Sequence, residues 1–305
     1  MASLIPNLTA CTVVWGDDVL EEISRLGESG AVHKVKGKHC TGKIMVRKTI
    51  RTLAEGQMKQ LLCQLSIISS IEYINIILFP GAYMLLSYEV KILLEFCESG
   101  SLEAVGTRIK ELNAAIGENI AGRLAEGLCA PILASYKVSR ILAQKKIIHR
   151  DIKPFNILLS REGIVKLCDI AISYELGTTF GDTLTDTTFF REDMWPKYTV
   201  QSDVWSTGMF LLELVQNRFP FPSDLPPIEL MMHITSSNPL RLEDESDRQW
   251  SDDMKDFIKQ MLTADALTQP TPKDMLVHPS VVSAMKQPDQ MARWIRTVWG
   301  WPPDK

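Results

Sequence analysis

The sequence predicts an α+β protein in which a small, β-sheet-rich lobe precedes a larger and mainly α-helical lobe. The first hundred residues contain short apolar or alternating runs of strand length, whereas the apolar spacing after Ser101 is that of longer helices. The 305 residues, 45% of them hydrophobic and 23% charged, are enough for one large or two-lobed globular protein.

The predicted first lobe combines four strands with one helix, and the second consists of helices. Strands are expected at residues 31–35, 43–50, 76–79 and 89–96. A helix is expected at about 53–69, where Leu61 and Leu65 lie on one face. Helices of the second lobe are expected near 116–145, 201–217, 252–262 and 281–298.

The charge balance and the cysteine spacing exclude several classes of protein. Lys and Arg number 33 against 37 Asp and Glu, so the net charge of -4 offers no basic surplus for nucleic acid or a membrane surface. The six cysteines show no zinc-ligand spacing and are expected to be reduced thiols. Because the amino terminus lacks signal-peptide features and no apolar stretch is long enough to span a bilayer, we expect a cytoplasmic protein.

The most informative segment is residues 147–159, which read IIHRDIKPFNILL. Five residues of this stretch carry the motif: His149, Arg150, Asp151, Lys153 and Asn156. A chance match to these five fixed residues in such a chain is on the order of 10⁻⁴. The alternative interpretation is an ordinary surface turn between a helix and a strand.

These residue types suit phosphoryl transfer. Asn156 and, further along the chain, Asp169 offer hard oxygen ligands to Mg²⁺. Asp151 offers a base or orienting group for a hydroxyl, and Lys153 offers a positive charge to a transferred phosphoryl group. Upstream, Lys48 lies on a predicted strand from which it can reach bound phosphates.

With these motifs the sequence resembles the eukaryotic protein kinases, and among them the MAP kinase kinases, particularly the fungal mating-type ones. Further strings that carry the resemblance are IMVRKTI at 44–50, EFCESGSLE at 95–103, YTVQSDVWSTG at 198–208, RFPFP at 218–222 and PTPKDMLVHP at 270–279. The resemblance implies the bilobal kinase fold. The implied parts are an extension at 1–19, an N-lobe at 20–96, a C-lobe at 97–301 and a tail at 302–305.

The resemblance also implies which residues bind ATP. Lys48 would hold the α- and β-phosphates, Leu94 would be the gatekeeper, and the backbone of Glu95 and Cys97 would contact adenine. The loop that covers the phosphates would include Leu26, Gly27, Gly30 and Val32.

By the same resemblance Asp151 would be the catalytic aspartate, and Lys153 would face the γ-phosphate. Asn156 and Asp169 would bind Mg²⁺, and Asp203 would brace the catalytic loop from a long helix. The paired hydroxyls that an upstream kinase phosphorylates would be Thr179 and Thr183.

Several positions depart from the kinase pattern. The phosphate-covering loop keeps only Gly27 and Gly30, although glycines let backbone N–H groups approach phosphate closely. Gln64 aligns with the helix glutamate that pairs with the strand lysine, so the charge of that pair is lost. Ala171 replaces the glycine that ends the magnesium motif, and Gln269 replaces an arginine whose glutamate partner is also missing.

Residues 129–144 look longer than the corresponding helix of the family. They represent either a surface bulge or translated intron sequence.

Two functional hypotheses follow. In the first, the chain is a protein kinase with Ser/Thr or dual specificity that uses ATP and Mg²⁺, with weakened activity because of the departures. A downstream MAP kinase would be its substrate and an upstream MAP kinase kinase kinase its activator, both implied by the resemblance. In the alternative, the chain is a pseudokinase that binds nucleotide or scaffolds partners without phosphoryl transfer.

Overall fold

The computed structural model describes residues 14–27, 30–38, 42–51, 55–69, 71–86, 89–141, 149, 151–168, 200–222, 225–236, 239–246, 248–265 and 267–302. The chain divides into two compact units, Met1–Glu98 and Ser99–Lys305. An antiparallel sheet forms most of the first unit, and helices form most of the second.

The first unit contains a five-stranded antiparallel sheet in the order β1-β2-β3-β5-β4. Its elements are β1 (Leu20–Leu26), β2 (Val32–Gly37), β3 (Ile44–Arg51), α1 (Glu55–Ile68), β4 (Gly81–Leu86) and β5 (Glu89–Glu95), after a short 3-10 turn at Asp17–Val19.

The two faces of this sheet carry separate apolar clusters. On one face, Leu61 and Leu65 of α1 pack against Val90 and Ile92 of β5. The other face carries a second cluster, which Trp15 covers from before the 3-10 turn. The alternation of side chains along each strand therefore assigns each strand residue to the α1 face or to the Trp15 face.

The strand predicted at 76–79 is wrong. Ile76 and Ile77 are buried, but they lie in the connection before β4, and the strand begins only at Gly81. Pro80 has no N–H to donate to a ladder. Gly81 has a φ of 155°, and an added Cβ there would lie 2.7 Å from the Trp15 ring. Ile76 and Ile77 are thus buried without forming a strand, although the carbonyl oxygen of the following Leu78 accepts the amide of Glu95 in β5.

The second unit consists of helices around a small hairpin. The helices are α2 (Leu102–Glu111), α3 (Glu118–Ile141), α4 (Val200–Gln216), α5 (Pro227–Ser236), α6 (Asp252–Met261), α7 (Pro272–Leu276), α8 (Pro279–Met285) and α9 (Gln290–Trp299). The hairpin pairs β6 (Ile157–Leu159) with β7 (Val165–Leu167), and the 3-10 turn Pro154–Asn156 leads directly into it. One large apolar cluster, with α3 and α4 at its centre, forms the core.

The single helix predicted at 281–298 is in fact two helices, α8 and α9. Pro288 lies between them, and the residue before a proline avoids helical backbone angles, so the chain breaks there. Residues 129–141 continue α3, with Pro131 inside the helix. The sequence did not predict α2, α5 or α7.

The described cysteines Cys97, Cys129 and Cys168 are buried thiols, as the sequence predicted for this residue type. Within the described ranges, no helix has the length and apolar character needed to cross a membrane.

Candidate active site

The residues singled out at 151–156 form a compact hydrogen-bonded loop. The side-chain amide of Asn156 donates to the carboxylate Oδ2 of Asp151 at 2.7 Å and to its backbone oxygen at 2.9 Å. The ammonium group of Lys153 lies 3.2 Å from the same Oδ2. Two neighbours therefore fix one carboxylate oxygen of Asp151, while among the described residues none donates to the other oxygen, Oδ1.

Asn156 is almost fully buried, and its amide orientation is set by its partners. Because the Nδ2 group donates to two oxygens of Asp151, the Oδ1 atom must point away from them. The backbone oxygen of Asn156 also accepts a bond of 2.9 Å from the amide of Cys168, the residue directly before Asp169. The loop and the end of β7 are thus held together at Asn156.

His149 connects the loop to the rest of the second unit. Its Nδ1 accepts from the backbone amide of Asp151 at 3.3 Å, so its Nε2 carries the proton and donates to the carbonyl oxygen of Cys168 at 2.8 Å. The sequence motif IIHRDIKPFNILL contains His149 but does not by itself predict this role. The motif around Asp151 marks this segment as functional, but the hydrogen bonds of His149 to Cys168 and Asp203 depend on the fold.

Asp203 lies on α4 and forms a hydrogen bond with the same histidine. Its buried carboxylate accepts the backbone amide of His149 at 2.8 Å. Its backbone oxygen accepts the hydroxyl of Thr207 one turn later at 2.8 Å. The structure therefore brings Asp151, Lys153, Asn156 and Asp203 into one network, with His149 at its centre.

In the first unit, Lys48 lies in the middle of the sheet. It is opposite Val32 of β2 and Ile92 of β5, so the three side chains share one face. Ile92 belongs to the cluster on the α1 face, which places Lys48 on that face as well. Gln64 lies within α1, and its side chain is outside the described residues.

The glycine-containing loop connects β1 to β2. Gly27 and Gly30 have φ values of 71° and 68°, a region that favours glycine, and an added Cβ on Gly30 would lie 3.0 Å from the Arg25 guanidinium. Leu26 ends β1 and Val32 begins β2, so these two residues flank the loop.

The segment 94–97 follows the central sheet. Leu94 lies opposite Val46 and packs at the edge of the α1-face cluster. The backbone amide of Glu95 donates to the carbonyl oxygen of Leu78 at 2.9 Å, and its carboxylate accepts the Leu78 amide at 3.1 Å. Cys97 is buried.

Three predicted site residues, Asp169, Thr179 and Thr183, lie outside the described residues, as does Ala171. Gln269 is described, and its side-chain amide donates to the carbonyl oxygen of Met261 at 3.1 Å. The amide therefore has a local partner at the position where the family carries an arginine.

The sequence profile of the protein kinase domain matches residues 20–281. This match covers most of the chain and includes the loop around Asp151. The chain therefore belongs to the protein kinase family.

Within that family, several relatives are MAP kinase kinases of fungi. The chain is 38% identical to mkk2 of Aspergillus fumigatus over 92% of its own length and 58% of the relative's. It is 36% identical to skh1/pek1 of Schizosaccharomyces pombe, over 90% of this chain and 76% of that one. It is 34% identical to MKK1/SSP32 of Saccharomyces cerevisiae, over 92% and 57%. The chain spans about half the length of most of these curated relatives.

Proposed function

We propose that this chain transfers the γ-phosphoryl group of ATP to Ser, Thr or Tyr hydroxyls of a MAP kinase. The observation that carries the proposal is the geometry at Asp151. Asn156 and Lys153 hold its Oδ2 at 2.7 Å and 3.2 Å, which orients Oδ1 as the acceptor for a substrate hydroxyl. Preorganised groups of this kind account for most of the catalysis in phosphoryl transfer.

Asp151 receives the proton of the attacking hydroxyl. As the bond from the hydroxyl oxygen to the γ-phosphorus forms, the bond from that phosphorus to the ADP oxygen breaks, and the proton passes to the carboxylate. Lys153 lies beside Asp151 and stabilises the charge on the transferred group. Asp203 and His149 keep the loop in position through their buried hydrogen bond.

The protein kinase family in general uses ATP with Mg²⁺. The donor set of this chain fits that metal, since the Oδ1 of Asn156 is a hard amide oxygen whose partner nitrogen is committed to Asp151. We assign the metal to Asn156 and Asp169. When bound, Mg²⁺ neutralises charge that develops on the phosphate oxygens.

The remaining ATP contacts come from residues of the N-lobe, which we assign to 20–96. Lys48, fixed opposite Val32 in the sheet, binds the α- and β-phosphates. Gly27 and Gly30 adopt the backbone angles of a tight loop that can approach phosphate closely. We assign adenine recognition to the backbone of Glu95 and Cys97. Cys97 is the first residue of the C-lobe, which we assign to 97–301.

The departures from the kinase pattern predict a slow enzyme rather than an inert one. Gln64 can still accept a hydrogen bond from Lys48, but an amide lacks the charge that makes such bonds about twice as strong. Ala171 restricts the backbone after Asp169 in a way that glycine does not. Both residues support or orient the reacting groups, whereas the groups that touch ATP, metal and hydroxyl are retained.

The named relatives are MAP kinase kinases, and this supports a MAP kinase as substrate and a MAP kinase kinase kinase as activator. We assign Thr179 and Thr183 as the hydroxyls that the activator phosphorylates. We further propose that the chain acts in the cytoplasm, where such cascades operate.

A phosphate-incorporation assay tests the function. The substrate is a MAP kinase whose own catalytic aspartate has been removed, so that it cannot phosphorylate itself. We expect Mg²⁺-dependent incorporation that Asp151→Asn lowers by about 10²- to 10⁴-fold, because that is the usual contribution of a general base. Asp253→Asn, at an exposed position of α6, is the control and should leave the rate unchanged. Equal incorporation by wild type and Asp151→Asn would overturn the proposal in favour of a pseudokinase.

A further inference from the structure

One carboxylate, that of Asp17, joins three strands of the sheet in the first unit. Its Oδ1 accepts the hydroxyl of Tyr83 on β4 at 2.6 Å and a guanidinium N–H of Arg47 on β3 at 3.2 Å. Its Oδ2 lies 2.5 Å from the ammonium group of Lys91 on β5. Asp17 lies in the 3-10 turn before β1, so the sheet is crosslinked by a residue that belongs to none of its strands.

The strand register places this crosslink directly behind Lys48. Lys48 of β3 lies opposite Ile92 of β5. Arg47 precedes the first of these residues in the chain, and Lys91 precedes the second. Because the two strands are antiparallel, Arg47 and Lys91 lie on opposite sides of this cross-strand pair, and both project from the face of the sheet opposite Lys48. Asp17 therefore bridges β3 and β5 diagonally behind the pair.

The burial of the two cations strengthens this bridge. The side chains of Arg47 and Lys91 are only 12% and 10% exposed, whereas that of Asp17 is 37% exposed. Water and salt screen ion pairs at fully exposed positions, but they screen pairs with largely buried cations much less. Without the Asp17 carboxylate, Arg47 and Lys91 would share no anion. Glu22 would still pair with the first and Glu89 with the second.

Lys48 lacks the charged helix partner that the kinase pattern provides. Gln64 takes the place of the glutamate on α1, and a neutral amide binds an ammonium group less strongly than a carboxylate does. The position of Lys48 therefore depends more on the strand that carries it. Because a displacement of about 1 Å at a substrate-binding group can lower a rate about 10²-fold, a crosslink between β3 and β5 affects binding as well as stability.

We propose that Asp17 is a positioning residue for Lys48 and fixes β3 against β5 from the opposite face of the sheet. This inference rests on the proposed role of Lys48 in binding the α- and β-phosphates of ATP. Asp17 acts through Arg47 and Lys91, and its carboxylate compensates in part for the charge that Gln64 lacks.

Nucleotide binding tests the proposal without requiring phosphoryl transfer. The full chain is titrated with ATP and Mg²⁺ in a calorimeter, at a temperature at which circular dichroism shows every variant to be folded. We expect Asp17→Asn to lower the affinity for ATP about tenfold. Asp18→Asn removes the same charge from the adjacent, exposed position and is the matched control, which should leave the affinity unchanged. Equal affinities of the two variants would overturn the proposal.

A second background separates the positioning of Lys48 from a general loosening of the fold. Lys48→Met removes the group that Asp17 positions. In that background Asp17→Asn should change the affinity by less than about twofold, because no ammonium group is left to misplace. A tenfold loss in both backgrounds would show that Asp17 acts on the whole unit and would overturn the positioning role.

Two further variants distinguish the bridge from a single ion pair. Glu22 also binds Arg47, at 2.6 Å, but among the described residues it pairs only with Arg47 and His33, and so joins β1 to β3 and β2. Glu22→Gln should therefore change the affinity less than about twofold. Lys91→Met removes the β5 end of the bridge and should lower the affinity about as much as Asp17→Asn does. A larger effect of Glu22→Gln than of Lys91→Met would contradict the bridge.

Steady-state kinetics connects the proposal to catalysis. Asp17→Asn should raise the KM for ATP about tenfold and leave the KM for the MAP kinase substrate unchanged. An unchanged KM for ATP would count against the positioning role. If the wild-type chain binds ATP but transfers no phosphate, the kinase function is wrong, while the binding measurements still decide the role of Asp17. If the wild-type chain binds no ATP, both proposals are wrong.

Discussion

The carboxylate of Asp203 accepts a hydrogen bond of 2.8 Å from the backbone amide of His149, 54 residues earlier in the chain. Both groups are buried, so neither finds a substitute in water when the other is removed. The bond fixes the start of the catalytic loop to α4. Four predictions concern this bond and three other features of the described residues.

Replacing Asp203 with alanine should destabilise the second unit by about 1–3 kcal/mol, because the buried amide of His149 loses its acceptor. Asp203→Asn retains an acceptor oxygen and should therefore lower the free energy of unfolding by less than Asp203→Ala does. Urea unfolding of both variants measures the difference, with Asp253→Ala at an exposed position of α6 as control. A loss of stability no larger than that of the control would show that the bond is dispensable.

Asn156→Ala should lower the phosphorylation rate by about 10²-fold or more, because Asp151 loses the amide that positions it. The same variant removes a proposed Mg²⁺ ligand, so the Mg²⁺ concentration for half-maximal rate should rise. Lys153→Ala should lower the rate without changing that Mg²⁺ concentration. The measurement is the initial rate across a Mg²⁺ titration, and identical Mg²⁺ requirements in all three proteins would exclude Asn156 as a ligand.

Asp17 ties the amino-terminal segment to the Trp15 face of the sheet through Lys91, Tyr83 and Arg47. Burial alone would raise the pKa of Asp17, but the hydrogen bonds from Lys91 and Tyr83 outweigh it and lower that pKa. Because the pKa of Asp17 is lower in the folded state than in the unfolded state, its carboxylate stabilises the fold at pH values above the ordinary aspartate pKa of about 3.9. That stabilisation is lost as the pH falls through the lower folded-state pKa.

Thermal melting between pH 3 and pH 7 checks this relationship. The melting temperature of Asp17→Asn should depend less on acid pH than that of wild type, while Glu21→Gln at an exposed position of β1 should behave like wild type. Parallel pH profiles for Asp17→Asn and wild type would refute the role of the carboxylate.

A capping box begins α7. The hydroxyl of Thr271 accepts the amide of Asp274 at 3.4 Å, and the carboxylate of Asp274 accepts the amide of Thr271 at 2.9 Å. Thr271→Ala should lower the free energy of unfolding by about 0.5–2 kcal/mol, as for other helix caps. Denaturant unfolding should reveal this loss and a smaller one for Thr297→Ala, whose hydroxyl bonds only within α9. Equal effects of the two substitutions would argue against the cap.

Local patterns in the sequence predicted the class of fold and most of the long elements. The strands around Lys48 and the helix with Leu61 and Leu65 follow from alternation and helical spacing. The pattern failed at 76–79, where Ile76 and Ile77 are buried in a connection rather than in a strand, and at Pro288, where one predicted helix is two.

What the sequence determined by itself is the chemistry of the loop, because Asp151, Lys153 and Asn156 lie within six residues and one short turn suffices to join them. Only the tertiary structure decided which groups hold that loop. The partner of His149 is 54 residues away, and a pocket that Pro154 lines brings α2 next to α4, which follows it after about a third of the chain. Such contacts arise from the packing of whole helices on a shared core, and spacing along the chain does not encode them locally.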